Sequence, residues 1–140
     1  MERRDFLKDT CSLCLALGAG ALSASLASCG SYPVYDAPVA RGTIAIPLSA
    51  FRDTDLQIVR AGAFPYDIAL RRTGEGYSAL VLRCTHADTP LVPAGGEFLC
   101  TAHGSRFGSE GDVRRGPAER ELEHLPVTIS GSAVIIRLEG

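Results

Sequence analysis

Cys84 and His86 in LRCTHAD, and Cys100 and His103 in CTAHGSRF, form two cysteine–histidine pairs within one short stretch. Thiolate and imidazole both bind iron, zinc and copper well, so the donor types alone leave the metal open. The spacing narrows it. One pair is Cys-x-His and the other Cys-x-x-His, with thirteen residues between them, which fits two adjacent loop tips each offering a sulfur and a nitrogen. A structural zinc site more often spaces its donors as CxxC and HxxxH. Two mixed pairs can instead serve two irons, one held by both cysteines and the other by both histidines. The plain alternative is two buried thiols beside two satisfied histidines. It leaves unexplained why both cysteines beyond residue 29, and two of the three histidines, share one stretch.

Something must hold those loops. The 140 residues suit one domain, and fifteen glycines with eight prolines favour many turns and hence strands. Alternation of Ile44, Ile46 and Leu48 predicts a strand, with Pro47 arguing for an edge position. Short apolar runs follow at 56–59, 66–70, 78–82, 97–100, 126–129 and 133–138, separated by turn signals at 72–76, 93–96, 109–112 and 130–132. The last two runs read as a hairpin. Only AERELEH, 118–124, could make a helical turn. The expected fold is all-β, a small antiparallel sandwich or barrel. A formal charge of −2 gives no basic face for nucleic acid.

The first thirty residues read as an address. Arg3, Arg4 and Lys8 precede an uncharged run from Thr10 to Ser28, the layout of an export signal. RRDFLK resembles a twin-arginine signal, and Leu26-Ala27-Ser28-Cys29 resembles a lipobox whose cysteine, Cys29, would be lipidated. The rival topology keeps this segment as an uncleaved anchor. Both place the folded part outside the cytoplasm, on the periplasmic side and attached to a membrane. Cys11 and Cys14 lie inside the apolar run and read as incidental hydrophobes. The expected organisation is therefore a signal or anchor at 1–29, a flexible tether at 30–42 and the folded domain at 43–140.

CTH, CTAHGSRF and GDVRRGPA together resemble the cluster-binding loops and the proline-bearing loop of Rieske iron–sulfur proteins, with the specific motifs in 84–118. The resemblance implies a Rieske-type β-sandwich with a cluster-binding loop subdomain and a [2Fe–2S] cofactor. Cys84 and Cys100 would bind the inner iron, and His86 and His103 the outer one. Gly104 would permit close backbone approach, Ser105 would donate to a cluster sulfide, and the Gly116-Pro117-Ala118 loop would cover one side. Two departures stand out. Thr89 and Ala102 occupy the positions where high-potential members carry a bridging disulfide, and Phe107 replaces a tyrosine that donates to a cysteine sulfur. Fewer donors predict a lower reduction potential.

An oxygenase would need a second site of two histidines and a carboxylate, yet only His124 remains after the four ligands are assigned. The expected function is one-electron transfer between redox partner proteins, such as a periplasmic or membrane oxidoreductase or a cytochrome. Two alternatives stay open: an iron–sulfur subunit of a quinol-oxidising cytochrome complex, and a structural zinc or iron–sulfur module.

Overall fold

The computed structural model describes residues 31–138. The expected signal, lipobox and Cys29 lie outside the described residues. The described part is almost wholly strand: β1 (Val34–Asp36), β2 (Thr43–Pro47), β3 (Leu56–Arg60), β4 (Ile68–Thr73), β5 (Gly76–Val81), β6 (Val92–Ala94), β7 (Glu97–Leu99), β8 (Arg106–Phe107), β9 (Val113–Arg115), β10 (His124–Leu125), β11 (Val127–Ser130) and β12 (Ala133–Arg137). They build a five-stranded sheet in the order β1-β3-β4-β5-β10, a three-stranded sheet β11-β12-β2, and a four-stranded sheet β6-β7-β8-β9.

The five-stranded sheet is buried on both faces, which explains why β3, β4 and β5 read as apolar runs rather than clean alternation. Val59, Ile68, Leu70, Ala79 and Val81 form one face and pack with Ile44, Ile46, Val134 and Ile136 of the three-stranded sheet. Leu56, Ile58, Ala69 and Leu80 form the other face and pack with Leu91, Phe98, Phe107, Leu122, Cys84 and Cys100. The candidate ligands thus grow directly out of the second core. Pro47 lies in β2, which pairs only with β12 and is an edge strand as expected. The final hairpin also forms, with Val127–Ser130 opposite Ala133–Ile136.

Residues 82–123 enter after β5 and leave before β10, and those two strands are neighbours. Leu80 faces His124, and the Val81 N–H donates to the Glu123 carbonyl at 2.9 Å. The loop-bearing subdomain is therefore an insertion whose two ends meet.

Three local expectations are corrected. Leu48 does not extend the first alternating strand but opens a 3-10 turn, Leu48–Phe51, that buries Phe51. No helical turn forms at 118–124. There the Ala118 N–H goes to Ser105 Oγ and the Leu122 N–H to the Gly111 carbonyl, so long-range bonds take the donors a helix would use. The stretch expected as a flexible tether is laid onto the domain from Tyr32 onward. The Ile58 N–H donates to the Pro33 carbonyl at 2.9 Å, β1 runs parallel to β3, and the Ala37 N–H donates to the Arg60 carbonyl at 2.9 Å. Tyr32 packs against the second core, and its hydroxyl accepts the Gly96 N–H at 2.9 Å. The free backbone edge of β3, which needs hydrogen-bond partners, outweighs the polar composition of the segment. Among the described residues no helix is long and apolar enough to cross a membrane.

Candidate metal centre

The two ligand loops have the same backbone geometry. In the first, the Cys84 N–H donates to the Thr89 carbonyl at 2.8 Å and the Asp88 N–H returns to the Cys84 carbonyl at 2.9 Å. In the second, the Cys100 N–H donates to the Ser105 carbonyl at 2.9 Å and the Gly104 N–H returns to the Cys100 carbonyl at 3.0 Å. Each loop therefore closes five residues after its cysteine. Each also needs a left-handed residue four positions on, Asp88 at φ 53° and Gly104 at φ 80°. Aspartate and glycine are among the residues that tolerate this region. A Cβ built on Gly104 would meet nothing within 4 Å, so its backbone borders open space.

Both loops present the same division of labour. Cys84 and Cys100 are free thiols with no exposed surface. His86 and His103 are exposed, and their rings stand 5.0 Å apart, nearly perpendicular at 86°. The two imidazoles stand beside one another, and the Cys84 side chain neighbours the Cys100 thiol. Donors to two separate irons would be arranged this way.

Burial alone would push the Cys100 thiol up. The N–H groups of His103 and Ala102, helped by the Cys84 and Thr89 side chains, outweigh that and hold it below the usual thiol range. A buried sulfur ringed by donors is prepared to carry negative charge, as a metal thiolate must. Thr89 was legible in the sequence only as a missing cysteine; its side chain is one of the groups that lower the Cys100 thiol, and its hydroxyl donates to the Ala87 carbonyl at 3.4 Å.

Neighbouring segments fix the loops from outside. Ser105 is fully buried, and its hydroxyl accepts the Ala118 N–H at 3.0 Å, tying the proline-bearing loop to the second ligand loop. Thr85 Oγ1 donates to the Arg120 carbonyl at 2.6 Å, and the Arg120 guanidinium donates back to the Thr85 carbonyl at 3.3 Å. Tyr66 on the approach to β4 donates its hydroxyl to the Asp88 carbonyl at 3.0 Å. None of these has a sequence signal, because each pairs a common residue with a distant backbone group. Phe107 is buried in the same core as both cysteines, while Pro117 and Ala102 lie at the surface. His124 is exposed on β10, away from the ligand pairs in sequence and sheet.

Comparison with known proteins follows the same stretch. The family model described as "Rieske [2Fe-2S] domain" matches residues 47–126, more than half of the 140-residue chain. The chain is 37% identical over 59 residues to the cytochrome b6-f complex iron-sulfur subunit 2 of a Nostoc species, covering 41% of this chain and 33% of that protein. It is 34% identical over 104 residues to the ubiquinol-cytochrome c reductase iron-sulfur subunit of Rhodobacter capsulatus, covering 66% of this chain and 54% of that one. The chain thus spans about half the length, or less, of these curated relatives. A solved structure titled "Hyperthermophilic respiratory Complex III" shares the fold, with a TM-score of 0.52 and 19% identity over 93% of this chain and 92% of its own.

Proposed function

We propose, because this chain belongs to the Rieske [2Fe–2S] domain family, that it relays single electrons between redox proteins outside the cytoplasm while attached to a membrane by its N-terminus. The observation that carries this reading is the split between two buried cysteines and two exposed histidines on facing loops.

When bound, the [2Fe–2S] cluster supplies a one-electron couple. Cys84 and Cys100 would hold the inner iron, where the second core keeps water from their sulfurs. The donors around Cys100 favour the extra negative charge that reduction brings. His86 and His103 would hold the outer iron and stand where a partner protein can touch them. The chain performs no bond chemistry in this scheme; a donor loses one electron and an acceptor gains it.

The RRDFLK motif and Cys29 support export by the twin-arginine route and lipidation at Cys29, with an uncleaved anchor as the rival. A second reading, an iron–sulfur subunit of a quinol-oxidising cytochrome complex, draws on the relatives from Nostoc and Rhodobacter capsulatus, which are iron-sulfur subunits of such complexes. The absent bridge at Thr89 and Ala102 and the phenylalanine at 107 speak against it. Anaerobically purified protein should contain iron and acid-labile sulfide in equal amounts and give a rhombic paramagnetic resonance spectrum on reduction. His86→Cys or Cys100→Ser should abolish that spectrum, and Cys29→Ala should release a soluble form or leave an unprocessed precursor. Zinc without sulfide would overturn the cluster; intact Met1 in the mature protein would favour the anchor.

A further inference from the structure

The two ligand loops share a backbone path but not their support. In the second, the left-handed position is Gly104, which takes φ 80° freely, and the loop is tied to its own subdomain through Ser105 and Ala118. In the first, the same position is Asp88 at φ 53°. A residue with a Cβ stays in that region only where its surroundings hold it there.

Three contacts hold Asp88. Its N–H goes to the Cys84 carbonyl at 2.9 Å, within the loop itself. Its carboxylate lies 3.7 Å from the Arg83 guanidinium, but the aspartate side chain is 74% exposed, so this pair is weak. Its carbonyl accepts the Tyr66 hydroxyl at 3.0 Å, from 22 positions back in the chain. Only this last bond comes from the sandwich. Tyr66 packs on the first core just ahead of β4, so the core aims its hydroxyl. Arg83 lies over the tyrosine ring, its guanidinium carbon 5.7 Å from the centroid, and its Nη2 pairs with Glu123 Oε2 at 2.9 Å. The ring is thus held by the core and by residues at the two ends of the insertion. Among the described residues no side chain of the sandwich hydrogen-bonds to 100–105.

We propose that Tyr66 is the positioning residue for His86: by fixing the Asp88 carbonyl it holds the first loop in the turn that sets His86 beside His103. The sandwich then governs one of the two exposed imidazoles and not the other. Asp88 follows His86 by two residues and closes the turn back to Cys84, so a shift at Asp88 passes directly to the histidine. The inference rests on the reading that these histidines hold the outer iron.

Full-length Tyr66→Phe tests it, because phenylalanine keeps the ring and deletes only the hydroxyl. Phe51→Leu is the comparison: it weakens the first core, which contains neither loop. Deuterium exchange of the cluster-loaded proteins is followed peptide by peptide where all of them stay folded. In Tyr66→Phe the amides of 84–89 should exchange roughly two- to tenfold faster, the effect of one ordinary hydrogen bond, and those of 100–105 at the wild-type rate. The two histidine-nitrogen couplings of the reduced cluster, read by electron–nuclear double resonance, should respond unequally, one shifted or broadened and the other kept. Phe51→Leu should lower the denaturant midpoint and leave both couplings as in wild type. Equal acceleration of both loops, unchanged exchange at 84–89, couplings that stay as in wild type, or the same spectral change in Phe51→Leu overturns the role of Tyr66. Wild-type protein holding zinc without sulfide overturns the ligand reading instead, a result of metal analysis obtained before any variant is compared.

Discussion

Ser105 Oγ accepts the Ala118 N–H at 3.0 Å across thirteen residues, and both groups are buried. A hydroxyl that accepts in this way has its oxygen fixed and keeps one proton to give. Ser105→Ala should therefore act twice. It strands a buried amide donor, costing about 1–3 kcal/mol of stability. If the remaining proton goes to the cluster, the substitution also lowers the midpoint potential by roughly 40–90 mV for a bond of one or two kcal/mol. Thermal unfolding and a redox titration measure the two separately. A potential left unmoved would place the hydroxyl away from the cluster.

Thr89→Val keeps the shape of the side chain and deletes the hydroxyl, one of the groups that lower the Cys100 thiol. The potential should fall, and Thr89→Ser should restore most of it. If valine and serine variants titrate alike, the threonine only fills space.

Phe107 is fully buried in the core that holds both cysteines. Phe107→Tyr brings a hydroxyl into that core, and the group is satisfied only by a nearby acceptor such as a cysteine sulfur. The expected result is a higher midpoint potential with little change in melting temperature. A destabilised protein of unchanged potential would show that the ring edge points elsewhere.

Matched substitutions probe the left-handed positions of the two loops. Gly104→Ala forces a Cβ into φ 80° and should cost about 1–2 kcal/mol, although nothing crowds the site. Asp88→Gly relaxes φ 53° but also frees the unfolded chain, so its net effect should be smaller. Denaturant midpoints of the two variants give the comparison directly. A Gly104→Ala protein as stable as wild type would contradict the loop conformation.

Iron removal should be felt locally. The first core, between the five- and three-stranded sheets, contains none of the four candidate ligands. Chelation of the oxidised protein should leave its amides protected from hydrogen exchange, while residues 84–89 and 100–105 lose protection. Global unfolding on chelation would mean that the sandwich depends on the metal.

The candidate ligands stood out because they are written in residue type and spacing: Cys84, His86, Cys100 and His103 need no knowledge of the fold to be singled out. Most strands were legible through turn residues and apolar runs. What escaped were features that depend on a partner far along the chain. Val34–Asp36 carries no strand pattern of its own and becomes a strand because β3 offers an edge. AERELEH has helical composition, yet Ala118 and Leu122 are drawn to Ser105 and Gly111. Thr89 showed only what it lacked, and its influence on the Cys100 thiol exists only once two loops face each other.

The insertion at 82–123 has a consequence for how such a protein can change. Its ends meet at paired strands, so its covalent link to the sandwich is one narrow doorway, and Tyr32, Tyr66 and a shared apolar wall make the other contacts. Whatever alters the loops beyond that doorway leaves the register of β5 and β10 untouched. The redox head is in this sense a cartridge: its loops and their donors can be exchanged as a unit, provided the residues lining the shared wall, Ile58, Ala69 and Leu80, still find an apolar surface to cover them.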